Sequence, residues 1–189
     1  MATFTALYDA CVLYPAPLRD FLMWLAITDL FRARWTDQIL DEWSRNLLTN
    51  RPDLDPARIQ RTRELMNQST LDCLVTGYED LIEGLELPDP DDRHVLAAAI
   101  RAQAGVIVTV NLKDFPAEYL VQFGIEPQHP DDFIEHLLDL STATVCRAAK
   151  RHRQSLRNPP KTVVEYLDTL ERQQLPKTVQ VLREFEALI

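Results

Sequence analysis

Val106-Ile107-Val108-Thr109-Val110 is a continuous β-branched run in the middle of the chain. A run of this kind, without charged residues at alternate positions, is the mark of a strand buried on both faces of a parallel sheet. Just upstream, Val95-Leu96-Ala97-Ala98-Ala99-Ile100 reads as a helix whose alanines allow a neighbouring element to approach closely. That helix starts in Leu87-Pro88-Asp89-Pro90-Asp91-Asp92, with Asp89 as N-cap and Pro90 at the first helical position. Downstream, Asn111–Pro116 reads as a turn, Ile125 opens a last short strand, and Asp131–Leu138 forms a helix. Towards the N-terminus, Phe4, Ala6 and Leu7 before Tyr8-Asp9 read as a strand. Apolar spacing predicts helices over 17–31, 36–48 and 56–68, a candidate strand at Leu71–Val75, and a short helix at Tyr78–Glu83. Strands alternating with helices predict an α/β fold with a mostly parallel central sheet flanked by helices. After residue 140 the pattern is helical only: about 142–156, a Pro159-Pro160 break, 161–172 and 176–187. The expected organisation is therefore a sheet domain over 1–140 and an all-helical extension over 141–189.

The chain has 189 residues, 46% of them hydrophobic, with 12 prolines and only 4 glycines. Glycine-rich phosphate cradles are absent. Cys11, Cys73 and Cys146 are far apart and odd in number, and read as buried thiols of a cytoplasmic protein. The longest uncharged apolar stretch, Phe21–Thr28, is too short to span a bilayer, and no basic segment leads a signal-like run, so no membrane association is expected. The net charge of −9 is unevenly spread. Residues 1–140 carry 24 acids against 11 Lys/Arg, whereas 141–189 carry 5 against 9. No acid lies between Asp139 and Glu165, where Arg147, Lys150, Arg151, Arg153, Arg157 and Lys161 sit. Such a segment either binds a polyanion or forms a solvated helix face.

Sites in open parallel sheets form at the carboxyl ends of strands, near the point where strand order reverses. Asp9 ends the first strand and Asp114 lies in the turn after Val106–Val110. Asp92 is in the first turn of a helix, and Glu42 is on another, sharing a face with Asn46 four residues on. Carboxylates gathered together repel and raise one another's pKa unless a cation joins them. Mg²⁺ answers that need with oxygen ligands at about 2.0–2.1 Å. Each acid also has an ordinary use: Asp92 as favourable charge at a helix N-terminus, Asp114 as a turn residue, Asp9 as a strand end. A phosphatase-like use of Asp9 is disfavoured, because Cys11 stands where a second acid would be needed, and no histidine has a metal-ligand spacing.

These residues carry a family resemblance. Leu7-Tyr8-Asp9-Ala10-Cys11-Val12-Leu13-Tyr14-Pro15 resembles the opening strand and turn of PIN domains. Arg34-Trp35-Thr36-Asp37-Gln38-Ile39-Leu40-Asp41-Glu42-Trp43 is similar to their second acidic motif, and Leu87–Ala99 to their third. Thr109-Val110-Asn111-Leu112-Lys113-Asp114-Phe115 is similar to their fourth. The order and approximate spacing match over residues 4–138, closest to the VapC-like toxin nucleases, in a subgroup carrying a C-terminal helical extension. The resemblance implies an Mg²⁺- or Mn²⁺-dependent endoribonuclease that leaves 5′-phosphate and 3′-hydroxyl ends. It implies that Asp9, Glu42, Asp92 and Asp114 are the catalytic, metal-holding acids. Asn111 would assist as a neutral ligand or hydrogen-bonding group. Thr109 would orient a carboxylate or water, or be an ordinary strand residue, and Asn46 would support Glu42. Arg93 and Lys113 are nearby candidates for the RNA backbone; Arg147, Lys150, Arg151 and Arg153 are distant ones. An antitoxin that covers the acidic pocket and a homodimer are expected from the resemblance alone. The alternative is a catalytically inactive PIN module that binds RNA or a protein.

Overall fold

A computed structural model describes residues 4–189. In chain order its main elements are β1 (Thr5–Tyr8), α1 (Ala10–Leu13), α2 (Ala16–Ala26), β2 (Arg32–Arg34), α3 (Asp37–Asn50), α4 (Pro56–Ser69), α5 (Arg93–Arg101), β3 (Val106–Val108), α6 (Ala117–Leu120), β4 (Glu126–Gln128), α7 (Pro130–Ser155), α8 (Val163–Glu171) and α9 (Pro176–Glu184). They fall into two compact units. The first runs to Tyr14 and resumes over Phe31–His129; the second comprises Pro15–Leu30 and Pro130–Ile189.

The first unit holds a four-stranded, all-parallel sheet in the order β2-β1-β3-β4. Leu7 pairs with Arg34 on one side and with Ile107 on the other, and Val108 pairs with Gln128. Strand order therefore reverses between β1 and β3. Ala6, Leu7, Tyr8, Ile107 and Val108 are completely buried, as expected for strands covered on both faces. Ala97, Ala98 and Ala99 of α5 are also fully buried, and their methyl groups let this helix lie close against β1 and β3. Trp35 is core, stacked on Tyr8 at 6.1 Å, with its indole N–H donating to Asn67 Oδ1 at 2.8 Å.

Several expected elements differ in extent. β2 was not legible, because Arg-Ala-Arg at a sheet edge shows one buried residue and no apolar run. The run at 106–110 stops at Val108: the Thr109 side chain turns to Asp9, and Val110 is exposed. Leu71–Val75 makes one bridge, Leu74 to Trp35, with Leu71 in solvent. The helix expected over 17–31 ends at Ala26, where Thr28 bonds back to Leu25 O and Asp29 takes a left-handed φ of 62°.

The second unit is helical. Its division from the first differs from a cut at residue 140, since it takes in α2 and begins at Pro130. The physical reason is the apolar face of α2: Leu18, Phe21, Leu22 and Leu25 are buried, and α2 packs on α7 and α8. The break expected between residues 138 and 142 is present as a kink at Ser141 inside α7. Thr162 and Glu165 form a reciprocal capping box at the start of α8. Asp131, buried on α7, caps α9 by accepting from the backbone N–H groups of Lys177 at 3.0 Å and Thr178 at 2.9 Å. Replacing Asp131 with Ala would leave those donors unmet; we expect a loss of about 2 kcal/mol, read as a lowered denaturant midpoint.

Candidate active site

Asp9 leaves β1 at the order reversal. Its backbone N–H donates to Val108 O at 3.1 Å, so the residue is locked to the end of β3. Its side chain is nearly fully buried, and Oδ2 accepts from Thr109 Oγ1 at 2.8 Å and from Cys11 Sγ at 2.9 Å. Thr109 Oγ1 accepts in turn from the Asn111 N–H at 3.0 Å, and Cys11 Sγ from the Val110 N–H at 3.3 Å. The turn after β3 is thereby bonded to the acid that ends β1. Burial pushes the Asp9 carboxyl above its ordinary value, and nearby Glu42 adds to this; the Cys11 and Thr109 bonds oppose it. Burial and the Asp9 charge push the Cys11 thiol up, so it keeps its proton and donates.

Asp92 closes a single 3-10 turn, Pro90–Asp92, that leads into α5, where Asp89 accepts from the Asp91 N–H at 2.9 Å. Its carboxyl is pushed up to about 7, by burial first and then by the charges of Asp9, Asp89, Asp114 and Glu42. Three of the four expected acids, each from a separate stretch of chain, thus act together with Asp89 on the half-buried carboxyl of the fourth. Glu42 is set by α3, whose N-cap Thr36 accepts from the Ile39 N–H at 3.0 Å while Ile39, Leu40 and Trp43 face the core. Its Oε2 lies 3.4 Å from Nε2 of buried His94.

Glu42, Asn46, Asp89, Asp91, Asp92 and His94 wall an open groove of about 530 Å³. Asn46 is exposed there, as its spacing from Glu42 predicts. Asp114 is half-buried in the 3-10 turn Leu112–Asp114, while Asn111 and Lys113 are exposed. Arg93 turns its Nε back to Pro90 O at 2.9 Å. Arg147, Lys150, Arg151 and Arg153 lie on α7 in the second unit, where Arg153 is committed to the carbonyl oxygens of Lys161 and Ile189.

Two residues escaped the sequence reading. Cys11 reads in the sequence as a plain thiol, although a donor two residues beyond a strand-ending acid is placed to reach back to it. His94 has no metal-ligand spacing, and only the packing of α5 brings it against Glu42.

Among the described residues, no group of three or more His, Cys, Asp or Glu is close enough to hold a metal ion. The donor chemistry nevertheless fits a hard divalent cation. The groups acting on Asp92 are all carboxylates, and their repulsion is what such a cation relieves.

Two expectations follow. Thr109→Val keeps the shape but removes the hydroxyl between Asp9 and the Asn111 N–H, and should destabilise by about 1–3 kcal/mol in chemical denaturation. In EDTA, the folded Asp92 holds its proton to about pH 7, whereas the unfolded carboxyl releases it near pH 4. Its contribution to stability is therefore full below pH 4 and is lost as pH rises through 7. Because Asp92 is half in solvent, screening makes the effect small. We expect the melting temperature of the wild type, relative to Asp92→Asn, to fall by a few degrees between pH 5 and 8.

Comparison with known proteins agrees with this picture. A family profile described as "PIN domain" matches residues 5–113, and one described as "VapC50 C-terminal domain" matches residues 130–184. A Mycobacterium tuberculosis protein named "Putative ribonuclease VapC50" is 42% identical over 97 residues, spanning 51% of this chain and 57% of that protein. The matched stretch thus covers less than two thirds of the relative's length. No solved structure matches. The second match, over residues 130–184, overlaps the C-terminal helices expected as an extension over 141–189. With the profile spanning more than half of the chain, an all-parallel sheet and acids at its point of order reversal, the chain belongs to the PIN domain family.

Proposed function

We propose that the protein is an endoribonuclease that hydrolyses RNA phosphodiesters with Mg²⁺ or Mn²⁺ held by its acidic cluster. The observation that carries this reading is the convergence of Asp9, Glu42 and Asp114 on Asp92, whose carboxyl is raised to about 7. The name of the Mycobacterium tuberculosis relative supports the same reaction class. Asp9, Asp92 and Asp114 would hold the cation, with Glu42 completing the set. When bound, the cation supplies charge that offsets the phosphate and lowers the pKa of water. Asp9 enters the reaction already oriented, because Thr109 and Cys11 hold one of its oxygens. Glu42, against His94, orients the attacking water. Asn46, in the groove with Glu42 and Asp92, and Asn111, whose N–H is held by Thr109, offer neutral amide groups. Exposed Lys113 would meet the RNA backbone, as would the remaining guanidinium nitrogens of Arg93, whose Nε is held by Pro90 O.

In this reading the protein is the toxin of a type II toxin–antitoxin pair, acting in the cytoplasm. Its antitoxin would lay a basic segment over the acidic groove, and the toxin would work as a homodimer. Among the described residues no helix is long and apolar enough to cross a membrane. The nuclease domain takes the sheet and its acids, and the C-terminal helices form the extension.

Cleavage of a mixed RNA pool tests the reaction directly. We expect hydrolysis with Mg²⁺ or Mn²⁺, none in EDTA, and a loss of at least about 100-fold in Asp9→Asn and Asp92→Asn, comparable to removing a strong electrostatic contribution to catalysis. Full cleavage by Asp9→Asn would sink the mechanism. Saturable Mn²⁺ binding with no cleavage of any RNA would favour the inactive, RNA- or protein-binding module.

A further inference from the structure

The six basic residues of the acid-free stretch are not equivalent. Arg153 donates to Lys161 O at 2.9 Å and Ile189 O at 3.1 Å, and Lys161 Nζ donates to Thr169 Oγ1 at 2.6 Å, so both serve the fold. Other cations of the second unit have counter-charges: Arg19 with Asp20, Lys177 with Asp132 and Glu135, Arg183 with Asp168 and Glu171. Lys150, Arg157 and Arg172 have no counter-charge among the described residues, and neither do Arg147 and Arg151, which differ in lining one groove together. They are exposed, four residues apart on one face of α7, and among the described residues neither has a carboxylate partner. Arg147 donates to Thr144 Oγ1 at 3.0 Å, which points its guanidinium along this face.

Both arginines line a concave cavity of about 200 Å³ with Trp24, Ile27, Thr28 and Thr144, and no carboxylate is on its walls. Trp24 is half-buried, in contrast to the fully buried Trp35 and Trp43. The components are two planar cations for phosphate oxygens, an indole for a flat ring and two hydroxyls. The volume is below the roughly 300–1,000 Å³ of pockets that enclose small ligands. It suits one unit of a polymer whose remainder stays in solvent. An acidic peptide would satisfy the guanidiniums but would leave the indole without a planar partner.

We propose that this groove is a binding site for single-stranded RNA, with Arg147 and Arg151 on successive phosphates and Trp24 against a base. The choice of RNA rests on the ribonuclease reading, which names the polymer this chain must meet. Base–aromatic stacking with backbone cations is the general means of holding single strands without sequence selection.

The test uses the full chain in EDTA, which suppresses cleavage, and a labelled single-stranded RNA of about a dozen nucleotides followed by fluorescence anisotropy. Arg147→Gln/Arg151→Gln should weaken binding roughly tenfold. It should also flatten the slope of log affinity against log salt by about 1.4, two phosphate contacts at about 0.7 each. Trp24→Ala should weaken RNA binding about tenfold and leave polyglutamate binding unchanged, while Trp24→Phe, which keeps a ring, stays within about threefold of wild type. An unchanged salt slope in the double variant would overturn the proposal. So would polyglutamate binding as tight as RNA, which would mark a site for an acidic protein, or Trp24 variants that bind RNA normally. Because binding is read without divalent ions, a chain that binds here but cuts nothing would fail the ribonuclease reading and leave this one standing.

Discussion

Repulsion among carboxylates is the constraint around which the first unit is built. Asp9, Glu42, Asp89 and Asp114 all act on Asp92, and they add to burial, the larger cause, in driving its half-buried carboxyl to about 7. A fold that concentrates like charge in this way needs each acid held separately. Asp9 is gripped by Thr109 and Cys11, Glu42 rests against His94, and Asp89 is engaged as a cap by the Asp91 N–H. These supports use side chains and backbone groups that the turns after β1 and β3 and the start of α5 already present. Local stabilisation and the shape of the site are therefore the same set of bonds.

The supports work because the elements carrying them are rigid. Asp9 and Thr109 sit one residue beyond strands that are buried on both faces, and the Asp9 N–H to Val108 O bond fixes their separation. The row of buried alanines in α5 brings that helix against β1 and β3, so Asp92 and His94 arrive with it. Ile39, Leu40 and Trp43 anchor α3 and decide where Glu42 points. Close packing thus converts four distant stretches of chain into one electrostatic unit.

The second unit is held by different means. His152 stacks on Phe21 at 5.8 Å and meets the Tyr166 hydroxyl at 3.0 Å, with burial drawing its pKa down to about 4. It is therefore a neutral polar group within an aromatic core, tying α2, α7 and α8 together. Asp131 caps α9, and Arg153 joins Lys161 and Ile189. Part of the charge that reads as a basic face is spent inside the unit, and of what has no counter-charge among the described residues, Arg147 and Arg151 share one groove.

Elements with strong periodicity or punctuation can be read directly from the residues. The Val106–Val108 strand, the Asp89-Pro90 helix start and the helices on either side of Ser141 were legible because burial on two faces, capping and 3.6-residue spacing leave local marks. The four acids stand out as candidates because strand ends and helix starts are local features too, and the PIN resemblance ordered them. Tertiary structure decided the rest. Arg32–Arg34 is a strand only because β1 offers it an edge, and α2 joins the helical unit because its apolar face finds α7 and α8. Cys11 became a donor to Asp9, and His94 a neighbour of Glu42, through approaches that no spacing along the chain encodes. Local signals set what each segment forms; which groups meet depends on packing between segments far apart in the chain.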